Sequence, residues 1–432
     1  MEPGEFGRSS DLDWWLLPLS GGDAIRLNMR AVSEAAGLDL PRPFSWLADG
    51  NWVIFDAAQR GGGTRNLWRI SISPKEGLLV GEPQKLTAGT GEESPSVSRD
   101  GRIAFVNAAE DWDIWSLPID ANRAEVKGDP VRIVSGLSRD LYPSVSADGR
   151  KLVYTSDRAG NNDIWLRDLE SGKDTPVTVG PANEGRGVIS PDGTKVVFGR
   201  REQGQVKVYL AELGRGTERL LLENIGLHMD WTPDGKKILY YTTSPIRWKT
   251  VDVETGEQRD LGLEHSQYPV HSVRLSPDQN WVSFKLQGAP GIPIFLSRLV
   301  GGVAQDESQW IPLGTTDGGG QSWWAPDGNS LYYVSGQDEF ICIWVQALDP
   351  ATKRPKGPPR AFQHFHGRLR LANAAPLGYG ITADKHYLPL GETKANIWLA
   401  EPQAAPRRCE SQRRARMVRR VPRPRAGLRS NS

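Results

Sequence analysis

The chain is poor in what most enzymes and membrane proteins advertise. Two cysteines in 432 residues, Cys342 in an apolar stretch and Cys409 in a polar one, argue against a disulfide framework. No run of about 18 apolar residues occurs, so no membrane-spanning helix is encoded. Met1 to Asp13 lacks a basic segment followed by an apolar core, so no signal peptide is read there. A formal net charge of +1 provides no whole-chain field for nucleic acid or an anionic membrane. There is no Gly-x-Ser-x-Gly elbow, no kinase motif set and no Gly-x-x-x-x-Gly-Lys loop. Gly61-Gly62-Gly63 and Gly318-Gly319-Gly320 read as loop glycine.

What is abundant is turn chemistry and aromatic residues: 47 Gly, 31 Pro and 16 Trp. One phrase recurs, a small or polar residue followed by Asp-Gly and a β-branched or aromatic run. It stands at Asp49-Gly50, Asp100-Gly101, Asp148-Gly149, Asp192-Gly193, Asp234-Gly235 and Asp327-Gly328, with degraded copies at Asp278-Gln279 and Asp384-Lys385. The Asp positions step by 51, 48, 44, 42, 44, 49 and 57 residues. A period of this size with short strands inside each unit marks a β-propeller.

Residues 142–179 show one unit. Tyr142 to Ser146 is a short inner strand, Ala147-Asp148-Gly149 a turn, and Lys151 to Thr155 a second strand. Asp163 to Leu169 is a third strand, and Thr175 to Thr178 an outer strand in which Pro176 is tolerated at an edge. The third strand repeats independently, as in Asn66-Leu67-Trp68, Asp113-Ile114-Trp115, Asp163-Ile164-Trp165, Cys342-Ile343-Trp344 and Asn396-Ile397-Trp398. Its aromatic is expected to fill the space between blades; a row of exposed stacking rings is the other reading.

The expected architecture is all-β, a single propeller of four-stranded antiparallel blades over residues 11–401. Full units run from about 44 to 362, with a half-blade at 11–27 and a last partial blade at 378–401. If the N-terminal outer strands complete the last blade, the ring closes with eight blades; seven is the alternative. Nine third strands stand against eight turns, an imbalance that reads as a propeller cut from a longer chain. Residues 402–432 read as a disordered tail; from Arg407 onward it has ten Arg and no Lys. Nucleic-acid binding is expected only through 407–432.

Ser190-Pro-Asp-Gly-Thr-Lys-Val-Val-Phe198 and Ser156-Asp-Arg-Ala-Gly-Asn-Asn-Asp-Ile-Trp165 resemble the WD-like propeller repeats of the TolB type. Such arrays also resemble the bacterial sensor-like propellers attached to Ser/Thr kinases or winged-helix regulators, and those preceding prolyl-oligopeptidase-type hydrolases. The resemblance implies binding of a protein or small ligand and no defined reaction. An extracytoplasmic location follows if the chain is part of an exported or tethered protein.

Binding is expected at the channel mouth, where loops enter the inner strands. Those positions vary from unit to unit while the turns repeat. They hold Glu92, Glu93, Arg139, Asp140, Tyr142, Glu184, Arg186, His228, Asp230, Tyr268, His271, Gln321 and Trp323. For any one of them, an ordinary solvated loop residue is the competing reading. No catalytic residue, cofactor or metal is expected: His364-x-His366 has metal-compatible spacing, but a strand edge explains it equally well. The function expected is a non-enzymatic binding propeller, the sensor or interaction part of a larger bacterial protein. The alternative is a propeller hydrolase or lyase whose channel site is assembled from scattered polar residues.

Overall fold

The computed structural model describes residues 13–401 apart from 20, 60–64, 74–75, 90, 137, 203–204, 227, 317–320, 338–339, 368 and 372–378. The Arg-rich tail and both triple-glycine loops, save part of their flanks, lie outside the described residues. The chain divides into two compact units, one of residues 1–110 with 393–432 and one of residues 111–392. Among the described residues no helix is long and apolar enough to cross a membrane.

The turn explains the repeat. In Ser146-Ala-Asp148-Gly149, the Ser146 hydroxyl donates to Asp148 Oδ1 (2.6 Å) and accepts from the Lys151 amide (3.1 Å), while the Arg150 amide donates to the same carboxylate (3.0 Å). Gly149 sits at φ +69°, a left-handed conformation that favours glycine. The same pattern is built by Ser190 with Asp192, Thr232 with Asp234 and Ser276 with Asp278. The Ser146 hydroxyl and the Arg150 amide hold the Asp148 carboxyl below its ordinary range, as Ser190 does for Asp192. These acids are turn formers.

In the 111–392 unit, six sheets surround one cavity. Sheet I comprises Asp140–Val145, Lys151–Ser156, Asp163–Asp168 and Asp174–Pro176; sheet II, Glu184–Ile189, Lys195–Glu202, Gln205–Glu212 and Thr217–Glu223. Sheet III comprises Asp230–Trp231, Lys237–Thr243, Ile246–Asp252 and Gln258–Asp260; sheet IV, Val270–Leu275, Trp281–Leu286, Pro293–Val300 and Ile311–Thr315. Sheet V comprises Ser322–Trp324, Ser330–Ser335, Cys342–Ala347 and Arg360–Gln363. Neighbouring strands are antiparallel throughout.

Sheet VI is drawn from both ends of the unit. Gly380–Ile381 and the start of Lys385–Ala400 form its inner half. The end of Ile103–Asp120 and Val131–Val134 form its outer half. The Ile119 and Ala121 amides donate to the carbonyls of Asp384 and Ala383 (both 2.9 Å), so backbone hydrogen bonds close the ring. Closure by N-terminal outer strands is thus the device expected from sequence, but residues near 113–134 perform it instead of 11–27.

The repeats are therefore divided between the units, and six sheets, instead of eight or seven blades, line the cavity. The physical reason is pairing: the third strand at Asp113–Trp115 pairs with the C-terminal strand. The other unit holds its own sheet, Leu38–Trp46, Trp52–Gln59, Arg65–Ser73 and Leu78–Lys85, with a short helix Met29–Ala35. Glu92–Val97 pairs there with the start of Ile103–Asp120. Trp15–Leu16 and Ile25–Arg26 make only a two-rung ladder, and Trp14 packs edge-on to Phe55 (5.3 Å).

Aromatic residues join the sheets. The Trp231 indole donates to the Val188 carbonyl (2.9 Å), Trp248 to Val270 (2.8 Å) and Trp324 to Arg274 (3.3 Å), each reaching from one sheet to its neighbour. Of the third-strand aromatics, Trp248 is fully buried. Trp115, Trp165 and Tyr209 are half-buried beneath the guanidinium groups of Arg132 (4.8 Å), Arg158 (4.8 Å) and Arg200 (4.5 Å).

Candidate functional site

All six inner strands open onto a cavity of about 480 Å³, within the range of small-molecule sites. Its lining follows a register counted back from the turn Asp. Six residues before it stand Tyr142, Arg186, His228 and Gln321; four before it stand Ser144, Val188, Asp230, Arg274, Trp323 and Gly380. The two sets stand two residues apart, and the residues named from both belong to the same wall.

The entry of the inner strand is bulged. Pairing shifts between Leu141 and Ser144, between Gly185 and Val188, and between His271 and Arg274. Tyr142, Arg186 and Ser272 occupy these bulges at φ +58°, +53° and +56°. A left-handed conformation costs an ordinary L-residue about 1–2 kcal/mol. The bulge re-aims side chains, and at Tyr142 and Arg186 it places them in the cavity wall.

The electrostatics are lopsided. The cavity wall carries two arginines, Arg186 and Arg274, and one carboxylate, Asp230, among the described residues. Arg274 Nη1 donates to Asp230 Oδ2 (2.5 Å) and Nη2 to Gln321 Oε1 (3.0 Å). Arg186 lies with its guanidinium carbon 5.5 Å from the Tyr142 ring centroid, and burial lowers its pKa from the ordinary arginine value. His228 is buried edge-on to Trp248 (5.4 Å). Burial, aided by Arg274 and Arg186, holds the imidazole well below its ordinary pKa, so it is neutral at pH 7. Its Nε2 has no hydrogen-bond partner among the described residues. Lys285, paired in register with His271, is pushed down to about 8 by burial. Trp323 stacks on Tyr379 (4.7 Å), and both rings belong to the wall.

Of the thirteen channel-mouth residues named from sequence, Tyr142, Arg186, His228, Asp230, Gln321 and Trp323 line this cavity. Asp140 and Glu184 lie outside its lining, buried in ion pairs with Arg158 (3.2 Å) and Arg200 (2.7 Å), and burial raises both carboxyl pKa values. Arg139 is exposed, its amide bonded to Asp157 (2.8 Å). His271 packs against Tyr241 (5.8 Å). Glu93 belongs to the other unit, where it pairs with Arg42 (2.7 Å). Arg274 and Tyr379 were not singled out from sequence. The four-residue offset picks out Arg274; Tyr379 stands five residues before the degraded turn at Asp384 and so falls outside that offset.

The cavity wall brings together no trio of metal-ligating side chains among the described residues. A second cavity, of about 1090 Å³, lies in the other unit beside the helix; Trp14, Leu27, Met29 and Leu38 are among its walls, and it holds none of the candidates.

Residues 120–277 match the TolB β-propeller domain family. The chain is 24% identical over 270 residues to an oligogalacturonide lyase of Pectobacterium atrosepticum, covering 56% of this chain and 69% of that protein. It is 25% identical over 258 residues to an uncharacterized protein of Agrobacterium fabrum, covering 54% of this chain and 80% of that one. Among solved structures, TolB from Acinetobacter baumannii aligns with a TM-score of 0.46 at 15% identity, covering 81% of this chain and 84% of that one. Strand order and turn chemistry agree with that match: residues 120–277 are similar to the β-propeller repeats of the TolB family.

Proposed function

We propose that the 111–392 unit is a binding propeller whose cavity takes a small anionic ligand with a flat or ring-shaped part. The observation that carries this is the charge of the wall: Arg186 and Arg274 against Asp230 alone, beside the aromatic faces of Tyr142, Trp323 and Tyr379. Guanidinium groups suit carboxylate and phosphate oxygens, and the rings supply apolar contact. Asp230 and Gln321 hold Arg274 in place before any ligand arrives, which lowers the ordering cost of binding. Such a unit fits the sensor or interaction part of a larger bacterial protein.

A lyase acting on an acidic sugar is the second reading. It is supported by a neutral buried imidazole, His228, in the same wall as two arginines, and by the relative named an oligogalacturonide lyase. A neutral base beside cationic groups is what proton abstraction next to a carboxylate requires.

Calorimetry with trigalacturonate, a neutral trisaccharide and inorganic pyrophosphate tests the first reading. Binding of an anionic probe without binding of the neutral sugar supports it; equal binding of all three, or of none, overturns it. Appearance of an ultraviolet-absorbing unsaturated uronate, lost in His228→Ala, would establish the second reading instead.

A further inference from the structure

The geometry points to a zinc-class metal site formed by Cys342, His364 and His366 in sheet V, away from the cavity wall. One donor atom from each of the three side chains lies within 4.8 Å of the others. His364 Nδ1 and His366 Nε2 are 3.2 Å apart. Two nitrogens bound to one tetrahedral zinc at about 2.0–2.1 Å stand about 3.3–3.4 Å apart, so the imidazoles are already at the separation a shared ion requires.

The backbone fixes this arrangement. Residues 364–366 follow the strand Arg360–Gln363, and their side chains alternate: His364 and His366 are exposed while Phe365 is buried. Phe365 packs into the core with Ile343, Val345 and Phe362, which anchors the segment between the two histidines. Cys342 begins the neighbouring strand Cys342–Ala347 and is fully buried. The Phe365 amide donates to Cys342 Sγ (3.4 Å), an outer contact of the kind that steadies a ligating thiolate. Phe340 stacks on the His366 ring (4.3 Å), and Arg370 covers Phe340 (5.1 Å), which restrains the His366 ring plane.

The donor set selects the metal. A thiolate with two imidazoles suits zinc, cobalt or copper and disfavours calcium and magnesium, which take oxygen ligands. Two histidines face solvent, so a fourth position is reachable by water or an exchangeable ligand. Sequence spacing alone did not reveal the site, because the cysteine comes from a different strand.

The test is cobalt(II) titration of the full chain after chelator treatment under reducing conditions, followed by visible spectroscopy. One equivalent is expected to give tetrahedral d–d bands and a thiolate-to-cobalt charge-transfer band, both abolished by zinc(II). His364→Ala and His366→Ala remove exposed rings and leave the core intact; each is expected to weaken binding by about tenfold or more. Cys342→Ser is expected to remove the charge-transfer band, with circular dichroism reporting whether it folds. His265→Ala, a substitution elsewhere, should leave the titration unchanged. Absence of tetrahedral bands in the wild-type chain overturns the proposal, and so does their persistence in the double histidine variant. Retention of the charge-transfer band in folded Cys342→Ser also overturns the ligand set.

Discussion

His386 makes the stability of the propeller unit dependent on pH. It lies in sheet VI, fully buried, with its ring 4.8 Å from that of Trp323 and close to Tyr379 and Tyr332. Neither ring nitrogen has a hydrogen-bond partner among the described residues. Burial pushes its pKa from 6.5 down to about 3. The folded pKa is depressed, so between about pH 3 and 6.5 the unfolded chain binds a proton that the folded chain does not. Stability from this group is complete above 6.5 and is lost as pH falls toward 3. At about 1.36 kcal/mol per unit, the loss between pH 7 and pH 5 is about 2 kcal/mol.

His386→Phe removes the titration and both unpartnered nitrogens and keeps an aromatic ring among aromatic neighbours. Urea unfolding of both proteins, followed by tryptophan fluorescence at pH 7, 6 and 5, isolates the effect, since the other titrating groups are common to both. The stability of the variant relative to wild type is expected to rise by about 2 kcal/mol from pH 7 to pH 5. Parallel pH profiles for the two proteins would refute the reasoning.

Three further substitutions probe the turn, the closure and the other unit. Gln279 stands at φ +58° where other copies of the turn have glycine, Gly235 at +69° for example. Gln279→Gly is expected to stabilise by about 0.5–1 kcal/mol, read as a higher melting temperature; an unchanged or lower one contradicts this. The buried Tyr332 hydroxyl donates to the Ala121 carbonyl (2.6 Å), linking sheet V to the segment that completes sheet VI. Tyr332→Phe should therefore cost about 1–2 kcal/mol in denaturant unfolding, with faster amide exchange along 113–121. In the first unit, fully buried Asp56 accepts from Arg42 (2.8 Å), from Arg65 and from the Ser94 amide (3.2 Å). Asp56→Ala is expected to destabilise that unit by about 2–4 kcal/mol, detected as protease sensitivity within 38–97, with Asp56→Asn intermediate.

Turn chemistry was the most legible part of the fold, because Asp-Gly with a hydroxyl two residues earlier is satisfied locally, within five residues. Four-stranded sheets followed from it. The partner of each strand was less legible at the ends of the array. The strand at Asp113–Trp115 reads identically whether it joins the strand before it or one 270 residues later, since pairing across a ring leaves no local signal. Tyr142, Arg186, His228, Asp230, Gln321 and Trp323 were legible as a group because residues that vary between like repeats escape the demands of the scaffold, and these six stand together in one cavity wall. Asp140 and Glu184 lie in buried carboxylate–arginine pairs, and in sequence such a pair and an acid at a channel mouth look alike. Arg274 is less legible because it is the fifth residue of the strand Val270–Leu275, away from the loop that enters it, and the bulge that sets the register appears only as a left-handed Ser272.

The central claim is that the cavity binds anions through its arginines. The most direct test is the dissociation constant of one anionic probe that binds the wild-type chain, measured by calorimetry for wild type and Arg186→Gln. Loss of a charged hydrogen-bond donor worth about 1.5–3 kcal/mol predicts weakening by about 10- to 150-fold, with circular dichroism unchanged. Equal affinity in the two proteins would contradict the account.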